Sequence, residues 1–543
     1  MYARTVLIVA AVAALSGCSA ARYKAQADKE VGEIIRLKQK AALGQETPFS
    51  IEGNRVDPIF GQPLKDQEPL GDVKLQPAVM LSLTQALDIA TRNSSDYQDS
   101  KEGVFTTALG LTYARYRWGP VLTGSASAAY TKTQGDETVG GGPSFGLSGL
   151  FADGTEFTAN LSTTLLTHLV SSPREAAWSV ITADLTKHLW GGKKREAQEN
   201  ILQAERNMVY KIREFAQYHR SFAVTIASSY YGTLQQRDIV LNSWNNYQIL
   251  IQAHDRTKMM GEAGRLPKFQ VDQAEQDELR AKDTYVRSVQ SYQLSVDRFK
   301  KEIGIPVDAP IALDPAELAA VRNRGIDHPD IDPDLAVDVA LAARLDLANA
   351  YEQVADADRR IALAEEGLQP AVDLVLSSSV PTEATRPGAF RTALGTYSGG
   401  LNVDLPLDRR AQRNAYRQAL IDLERSKRSA ALFEDQVKLD VRDSWRKLEE
   451  AKTSYDIQQM SLTLARSRVE NTSLLLQAGR ADTRELLDSQ DALLQAQNAL
   501  IRALIDHLIA RLNFWQNVGI LDVNENGLWQ ENYDRFFPQG GNR

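Results

Sequence analysis

The sequence predicts a mainly α-helical chain that carries a membrane β-barrel and is built as two tandem structural repeats. Three observations predict this. Two proline-free stretches, Lys193 to Ala263 and Arg409 to Ala478, run for 71 and 70 residues, too long for helices of a compact domain. Short segments that alternate apolar and polar residues precede each of them. The chain also matches itself at an offset of 215 residues.

Composition sets the outer bounds. The chain has 543 residues, 24% charged and 43% hydrophobic, with 19 prolines and no long Gly/Ser or Pro linker, which suits one structure better than a string of domains. Its net charge of −8 and scattered basic residues exclude nucleic acid as a natural partner. One cysteine excludes a disulfide framework and a CxxC metal or redox site. No run beyond residue 15 reaches 18 apolar residues, so no transmembrane helix is expected in the mature chain.

The N-terminus reads as a secretory signal, residues 1–17. Arg4 precedes the apolar run Thr5 to Leu15, and small residues follow. Leu15-Ser16-Gly17-Cys18 resembles the bacterial lipobox. That resemblance implies that Cys18 is the lipidation site, diacylglyceryl-modified and acylated, with a chain such as palmitate, as the first residue of a lipoprotein. Ser19, rather than Asp, directs such a lipoprotein to the outer membrane. Residues 18–80 are then a lipidated N-terminal segment. Acyl chains hold firmly only with other membrane contacts, so further membrane-binding elements are expected.

The repeat follows. At the 215-residue offset Ala263-Gly264-Arg265 falls on Ala478-Gly479-Arg480, Phe299 on Phe514, and Gly304-Ile305 on Gly519-Ile520. Upstream, Pro120 corresponds to Pro370 and Leu189 to Leu407 at larger offsets. Repeat 1 is 81–305 and repeat 2 is 334–521. The inter-repeat linker, 306–333, holds five prolines, and 522–543 is a C-terminal tail.

Each long stretch would make a helix of about 105 Å at 1.5 Å per residue. Leu448, Tyr455, Leu462, Val469 and Leu476 recur every seven residues, as do Ile201, Met208, Phe215 and Phe222; such heptads predict coiled-coil seams. Four shorter helices are expected: Leu81 to Trp118, Lys268 to Lys301, Asp334 to Leu368 and Asp482 to Gln516. Two short helices stacked end to end match one long one, which gives two columns per repeat.

Strand patterns lie only between a short helix and a long one. They are Val121 to Thr131, Ile181 to Leu189, Val372 to Ser377 and Leu401 to Leu405. Alternation of this kind is the signature of membrane barrel strands. Lipid requires such a sheet to close, and four strands cannot close alone, so the barrel is expected to be shared among protomers. Tyr116, Trp118 and Trp190 flank the strands as an interfacial aromatic belt would. Repeat 1 is longer by an extra hairpin, Phe145 to Leu165, turning at Asp153-Gly154. Whether it enters the barrel or protrudes is open at this stage.

With these residues assembled, the chain resembles the outer membrane factor family, the TolC-like efflux channels. The resemblance rests on Leu81-Ser-Leu-Thr-Gln-Ala-Leu-Asp-Ile-Ala opening the first helix, Leu368-Gln-Pro370 before a strand, and Leu405-Pro-Leu407 after one. The Ala-Gly-Arg tips and the duplication belong to the same pattern, which covers about residues 80 to 521. It implies a homotrimer: a shared 12-stranded barrel on a 12-helix periplasmic tunnel. It further implies that the helix-hairpin tips, Gly264-Arg265 and Gly479-Arg480, dock a periplasmic adaptor, or membrane fusion protein, that serves an inner-membrane transporter. Glu485 and Asp488 would line a periplasmic aperture; their repeat partners, Gln270 and Gln273, are neutral.

The function expected is a passive exit duct of a tripartite efflux or secretion system, lipid-anchored in the outer membrane, with no cofactor and no metal. The alternative is a structural lipoprotein tether with coiled coils and no pore. An enzyme finds no support, because the six histidines (168, 188, 219, 254, 328, 507) form no ligand spacing and no GxSxG or P-loop occurs. Met259-Met260 is a lone pair rather than a metal relay, so copper export finds no special support.

Overall fold

The computed structural model describes residues 19–44, 46, 49–52, 63–133, 136–151, 153–168, 175–191, 194–383, 386, 388–405, 407–478, 480–524 and 527–531. The signal peptide, Cys18, Gly479 and the end of the tail lie outside the described residues. In chain order, α1 (Ala20–Leu43) and β1 (Val79–Leu81) precede α2 (Leu83–Asn93) and α3 (Ser95–Tyr116). Four strands follow: β2 (Val121–Thr133), β3 (Asp136–Leu150), β4 (Glu156–His168) and β5 (Glu175–Trp190). Helices α4 (Lys194–Glu262) and α5 (Lys268–Glu302) complete the first repeat, and β6 (Ile311–Leu313) and α6 (Pro315–Arg324) form the seam. The second repeat runs α7 (Pro333–Ala343), α8 (Leu345–Glu366), β7 (Ala371–Pro381), β8 (Thr396–Asp404), α9 (Arg410–Gln477) and α10 (Thr483–Val518). A small pair, β9 (Leu521–Val523) and β10 (Trp529–Glu531), comes last.

The expected long helices are present, with 69 and 68 residues. The expected four-strand set is corrected to six. All six large strands form one antiparallel sheet in the order β2-β3-β4-β5-β7-β8. The extra hairpin is real and turns at Gly154, where Thr155 N–H donates to Asp153 Oδ1 at 3.1 Å. It does not protrude, because β3 pairs along β2 and β4 along β5.

The chain divides into two compact units. The first holds Met1–Phe49, Gly103–Arg213 and Ala348–Ala431, and includes the six-stranded sheet. Below the sheet, α4 meets α8 through charge. Asp356 is buried and accepts from Tyr210 Oη at 2.7 Å, while Arg206 and Arg359 pair with it at 2.5 and 2.8 Å. Burial alone would raise the Asp356 carboxyl, but hydrogen bonds from Tyr210, Arg359 and Gln203 hold it below the ordinary carboxylate range. A buried charge persists only when paired in this way. Helix α1 joins the same unit, where Lys38 and Arg115 both reach Glu205, at 3.5 and 2.9 Å.

The second unit holds Ser50–Glu102, Glu214–Leu347 and Leu432–Arg543. Its core gathers Leu87, Tyr230, Phe299, Phe514 and Trp515. Strand β1 pairs in parallel with β6, and Tyr230 Oη donates to Leu81 O at 2.9 Å, so the inter-repeat linker is tied to the start of the first repeat. The expected single helices Leu81 to Trp118 and Asp334 to Leu368 are each broken once. The breaks fall at Ser94 and Arg344, both in extended backbone. The pieces on either side are 11 and 22 residues in both repeats.

Neither break carries glycine or proline. Each break lies against a tertiary neighbour, the glycine that ends the last helix of the repeat. Gly304 has φ 75, and a Cβ built on it would lie 2.3 Å from Asn93 O. Gly519 has φ 84 and would meet Arg344 Cγ at 3.2 Å and Ala343 at 3.4 Å. Both positions need the left-handed backbone that glycine adopts without penalty. The Gly304→Ala substitution is expected to cost about 2 kcal/mol from backbone strain and displacement of Asn93. Gly519→Ala should cost less, about 1 kcal/mol, because its neighbours include a movable side chain. Thermal unfolding of the two variants checks this; a larger loss for Gly519→Ala would contradict it.

Candidate functional site

The six-stranded sheet has two chemically different faces, and the register assigns each residue to one of them. Leu122, Phe145, Phe157, Leu185, Leu374 and Leu401 represent one face, strand by strand, at positions that pair Leu122 with Leu147, Phe157 with Leu185 and Leu374 with Leu401. The other face carries Ser125, Ser144, Asn160, Thr182, Ser379 and Thr396, through the pairs Ser125↔Ser144, Asn160↔Thr182 and Ser379↔Thr396. Ser125 and Ser144 hydroxyls hydrogen-bond across the strands at 2.7 Å. His188 Nδ1 and Asp373 Oδ1 lie 2.6 Å apart on this polar face, near the helix-proximal strand ends.

Among the described residues, much of the apolar face is left uncovered. Leu122 is 80% exposed and Leu401 65%, and Phe145, Tyr130 and Tyr397 are exposed as well. A patch of this kind marks a membrane or protein contact. Rings sit toward both ends of it, Phe157 and Trp190 near the helices and Tyr130 and Tyr397 far from them, which is how aromatic girdles flank the apolar band of a membrane barrel.

Helix α9 is also two-sided. Leu448 and Leu462 are buried, and Tyr455, Val469 and Leu476 are half-buried, so the heptad read from sequence faces the chain's own helices. A second stripe, Leu432, Leu439, Ile457, Leu464 and Leu475, is exposed, with Leu432 and Leu464 at 70%. Its intervals of 7, 18, 7 and 11 residues are close to whole helical turns. From Leu439 to Leu448 is nine residues, or about two and a half turns, so the two stripes lie on opposite sides.

The hairpin tips share one cap. Arg265 N–H donates to Met260 O at 2.9 Å, and Arg480 N–H donates to Leu475 O at 2.8 Å, the same bond 215 residues later. Gly264 has φ 66 and open space around it, and Arg265 and Arg480 are exposed. After each tip a new helix begins, and here the repeats differ. Asp482 and Glu485 form a capping box on α10, with Glu485 N–H donating to Asp482 at 2.9 Å and Asp482 N–H to Glu485 at 3.3 Å. Glu485 thus has a structural task that its reading from sequence did not include. Asp488 is exposed one turn on, 4.0 Å from Arg484.

Two acids not singled out from the sequence join Asp488. A cleft of about 120 Å³ between α4, α5 and α10 is lined by Ser243, Asn246, Asp277, Arg280, Asp488 and Asp491. Burial pushes the Asp277 carboxyl above the ordinary carboxylate range against its partner Arg280, and the Asp488 and Asp491 charges push it the same way. Only the i, i+3 spacing of Asp488 and Asp491 was visible in sequence; Asp277 arrives by packing.

A carboxyl raised in the fold destabilises when ionised, so stability is gained as pH falls through its folded pKa. Asp277→Asn is therefore expected to raise the thermal midpoint at pH 7, with the gain fading as pH drops through the carboxylate range. A lower midpoint at pH 7 would show that the Arg280 ion pair outweighs the burial.

Residues 336–519 match the family model described as outer membrane efflux protein. No curated protein matches the chain in sequence. Among solved structures, the outer membrane protein VceC of Vibrio cholerae is 13% identical with a TM-score of 0.60, covering 80% of this chain and 96% of its own. The outer membrane channel CmeC of Campylobacter jejuni is 11% identical with a TM-score of 0.60, covering 88% and 95%. CusC, studied for the conformational changes that accompany folding and transmembrane channel formation, is 12% identical with a TM-score of 0.61, covering 86% and 99%. The resemblance read from the sequence therefore holds: residues 336–519 match the outer membrane efflux protein family, and the chain has the fold of the outer membrane factor channels.

Proposed function

We propose that the chain is the outer-membrane exit duct of a tripartite export system, a passive conduit and not an enzyme. The observation that carries this reading is the sheet, apolar on one face and hydroxyl-lined on the other. That division suits lipid outside and water inside. The efflux family match over the second repeat and the channel fold support it.

A homotrimer is the working assembly. The edge strands β2 and β8 are each paired on one side only among the described strands, and lipid tolerates no open edge. The exposed stripe of α9 supports the same conclusion, since a helix apolar on opposite sides needs a neighbour on each. A second copy of the chain supplies both. Cys18 is acylated and anchors the mature chain at the outer membrane, and the tips at Gly264-Arg265 and Gly479-Arg480 meet the periplasmic adaptor of an inner-membrane transporter. Protein isolated from cell envelopes should begin at an acylated Cys18 and should cross-link to that adaptor from a photoreactive residue at Arg265 or Arg480. A mature chain starting elsewhere, or a tip that cross-links only to its own copies, would contradict these assignments.

Glu485 and Asp488 ring the periplasmic aperture, three copies of each about one axis, with Asp277 and Asp491 behind them. Like charges so placed attract cations, and salt screens them over about 8 Å at physiological ionic strength. Purified protein in planar bilayers should conduct ions with cation preference. Glu485→Gln with Asp488→Gln should lower that preference most at low salt. Folding should be preserved, since glutamine still serves the capping box. Gln270→Ala with Gln273→Ala should change little. Absence of conductance would point to a tether instead of a duct, and conductance with unchanged selectivity would remove the aperture assignment alone.

A further inference from the structure

The strands β3 and β4 are inserted between β2 and β5 rather than appended to them. Pairing runs from Val121↔Ser148 to Thr133↔Asp136 on one side and from Glu156↔Thr186 to Thr167↔Glu175 on the other. A hairpin standing off the sheet would pair with itself and leave β2 beside β5; here those two strands are separated by the whole hairpin. The insertion also carries the two-faced pattern of its neighbours. Phe145 and Leu161 pair on the apolar face, and Ser144 and Ser162 on the polar face.

The hairpin is shaped for a curved sheet. β3 contains Gly140-Gly141-Gly142-Pro143, and the β3–β4 register skips Gly142 and Pro143 while β2 keeps pairing through them. Gly141 has φ 153, and a Cβ there would lie 2.1 Å from Ser127 O; one on Gly142 would lie 1.9 Å from Thr163 O. The backbones of β2 and β4 both press in where β3 has no side chain. Glycine kinks and ladder breaks of this kind let a sheet curl into a barrel.

We propose that the inserted hairpin widens the duct: three copies of six strands close a barrel of eighteen, and this exit passes hydrophilic solutes too bulky for a twelve-stranded one. The inference rests on the reading of the chain as a trimeric channel. Six is an even number, so β8 runs opposite to β2 and can pair antiparallel with β2 of the next copy. All of β8, and all of β2 but its first residue, are exposed, as edges awaiting a partner would be. Barrel diameter grows roughly in proportion to strand number, so eighteen strands give a bore about 1.5 times that of twelve and put it among barrels that enclose an aqueous channel.

The test uses full-length protein in lipid. The cysteine pairs Ser125→Cys with Ser144→Cys, and Ser162→Cys with Val180→Cys, join β2 to β3 and β4 to β5 at register partners, close enough for a disulfide. Both pairs are expected to cross-link in conducting channels. Neutral polymers of graded size, added from the barrel side, should enter the wild type up to a radius about 1.5 times that of a twelve-stranded channel recorded alongside. A variant lacking residues 136–168, with β2 turned directly into β5, should fall to the smaller limit. Conducting channels whose pairs stay reduced, or a wild-type limit equal to the twelve-stranded one, would overturn the proposal and leave the channel reading intact. Cross-links without conductance would retain the six-stranded sheet and remove the channel.

Discussion

A β-strand edge in hydrocarbon must be paired, because no water is there to satisfy its N–H and C=O groups. The rest of this structure depends on that constraint. One chain supplies a six-stranded sheet with an apolar face, a hydroxyl face and two outer edges that no described strand pairs. It also supplies a 68-residue helix with apolar stripes on opposite sides. Each element is incomplete alone, and in the proposed assembly each is completed by the same means, another copy placed edge to edge. On the proposed reading, the sheet and the helix state the same requirement in two solvents, lipid for one and water for the other.

The duplication shows in the helix lengths of the two repeats. Both repeats place an 11-residue helix, an extended residue and a 22-residue helix in the same order. In both, the extended residue sits against a glycine with positive φ that ends the last helix of the repeat. These contacts sit within the apolar core of the second unit, at the points where the short helices stop. The repeats differ where chemistry differs: the first carries the extra hairpin, and the second carries the acidic helix start at Asp482 and Glu485.

Much of this was legible in the residues. Helix length followed from the missing prolines, the inward face of α9 from the Leu448 to Leu476 heptad, and the repeat from Gly264, Gly304, Gly479 and Gly519. The breaks at Ser94 and Arg344 were not, since each lies against a glycine distant in sequence. The place of β3 in the sheet was hidden because Gly140 to Pro143 interrupts the alternation that marks a strand. The second stripe of α9 was overlooked because polar residues between Leu439 and Ile457 interrupt it. Around the acidic site, Asp482-x-x-Glu485 was readable as a capping box, whereas the approach of Asp277 to Asp488 arises only from packing of α5 on α10.

The central claim is that the sheet lies between lipid and water in every one of its six strands. Nitroxide labels placed singly along β2, β3, β4, β5, β7 and β8 in membrane-embedded protein test it directly, read by collision with oxygen, which concentrates in lipid, and with a water-soluble nickel complex. The account expects labels at Leu122, Phe145, Phe157, Leu185, Leu374 and Leu401 to favour oxygen. It expects labels at Ser125, Ser144, Asn160, Thr182, Ser379 and Thr396 to favour nickel. Alternation in only four strands would remove β3 and β4 from the barrel, and nickel access on both faces throughout would contradict the membrane sheet itself.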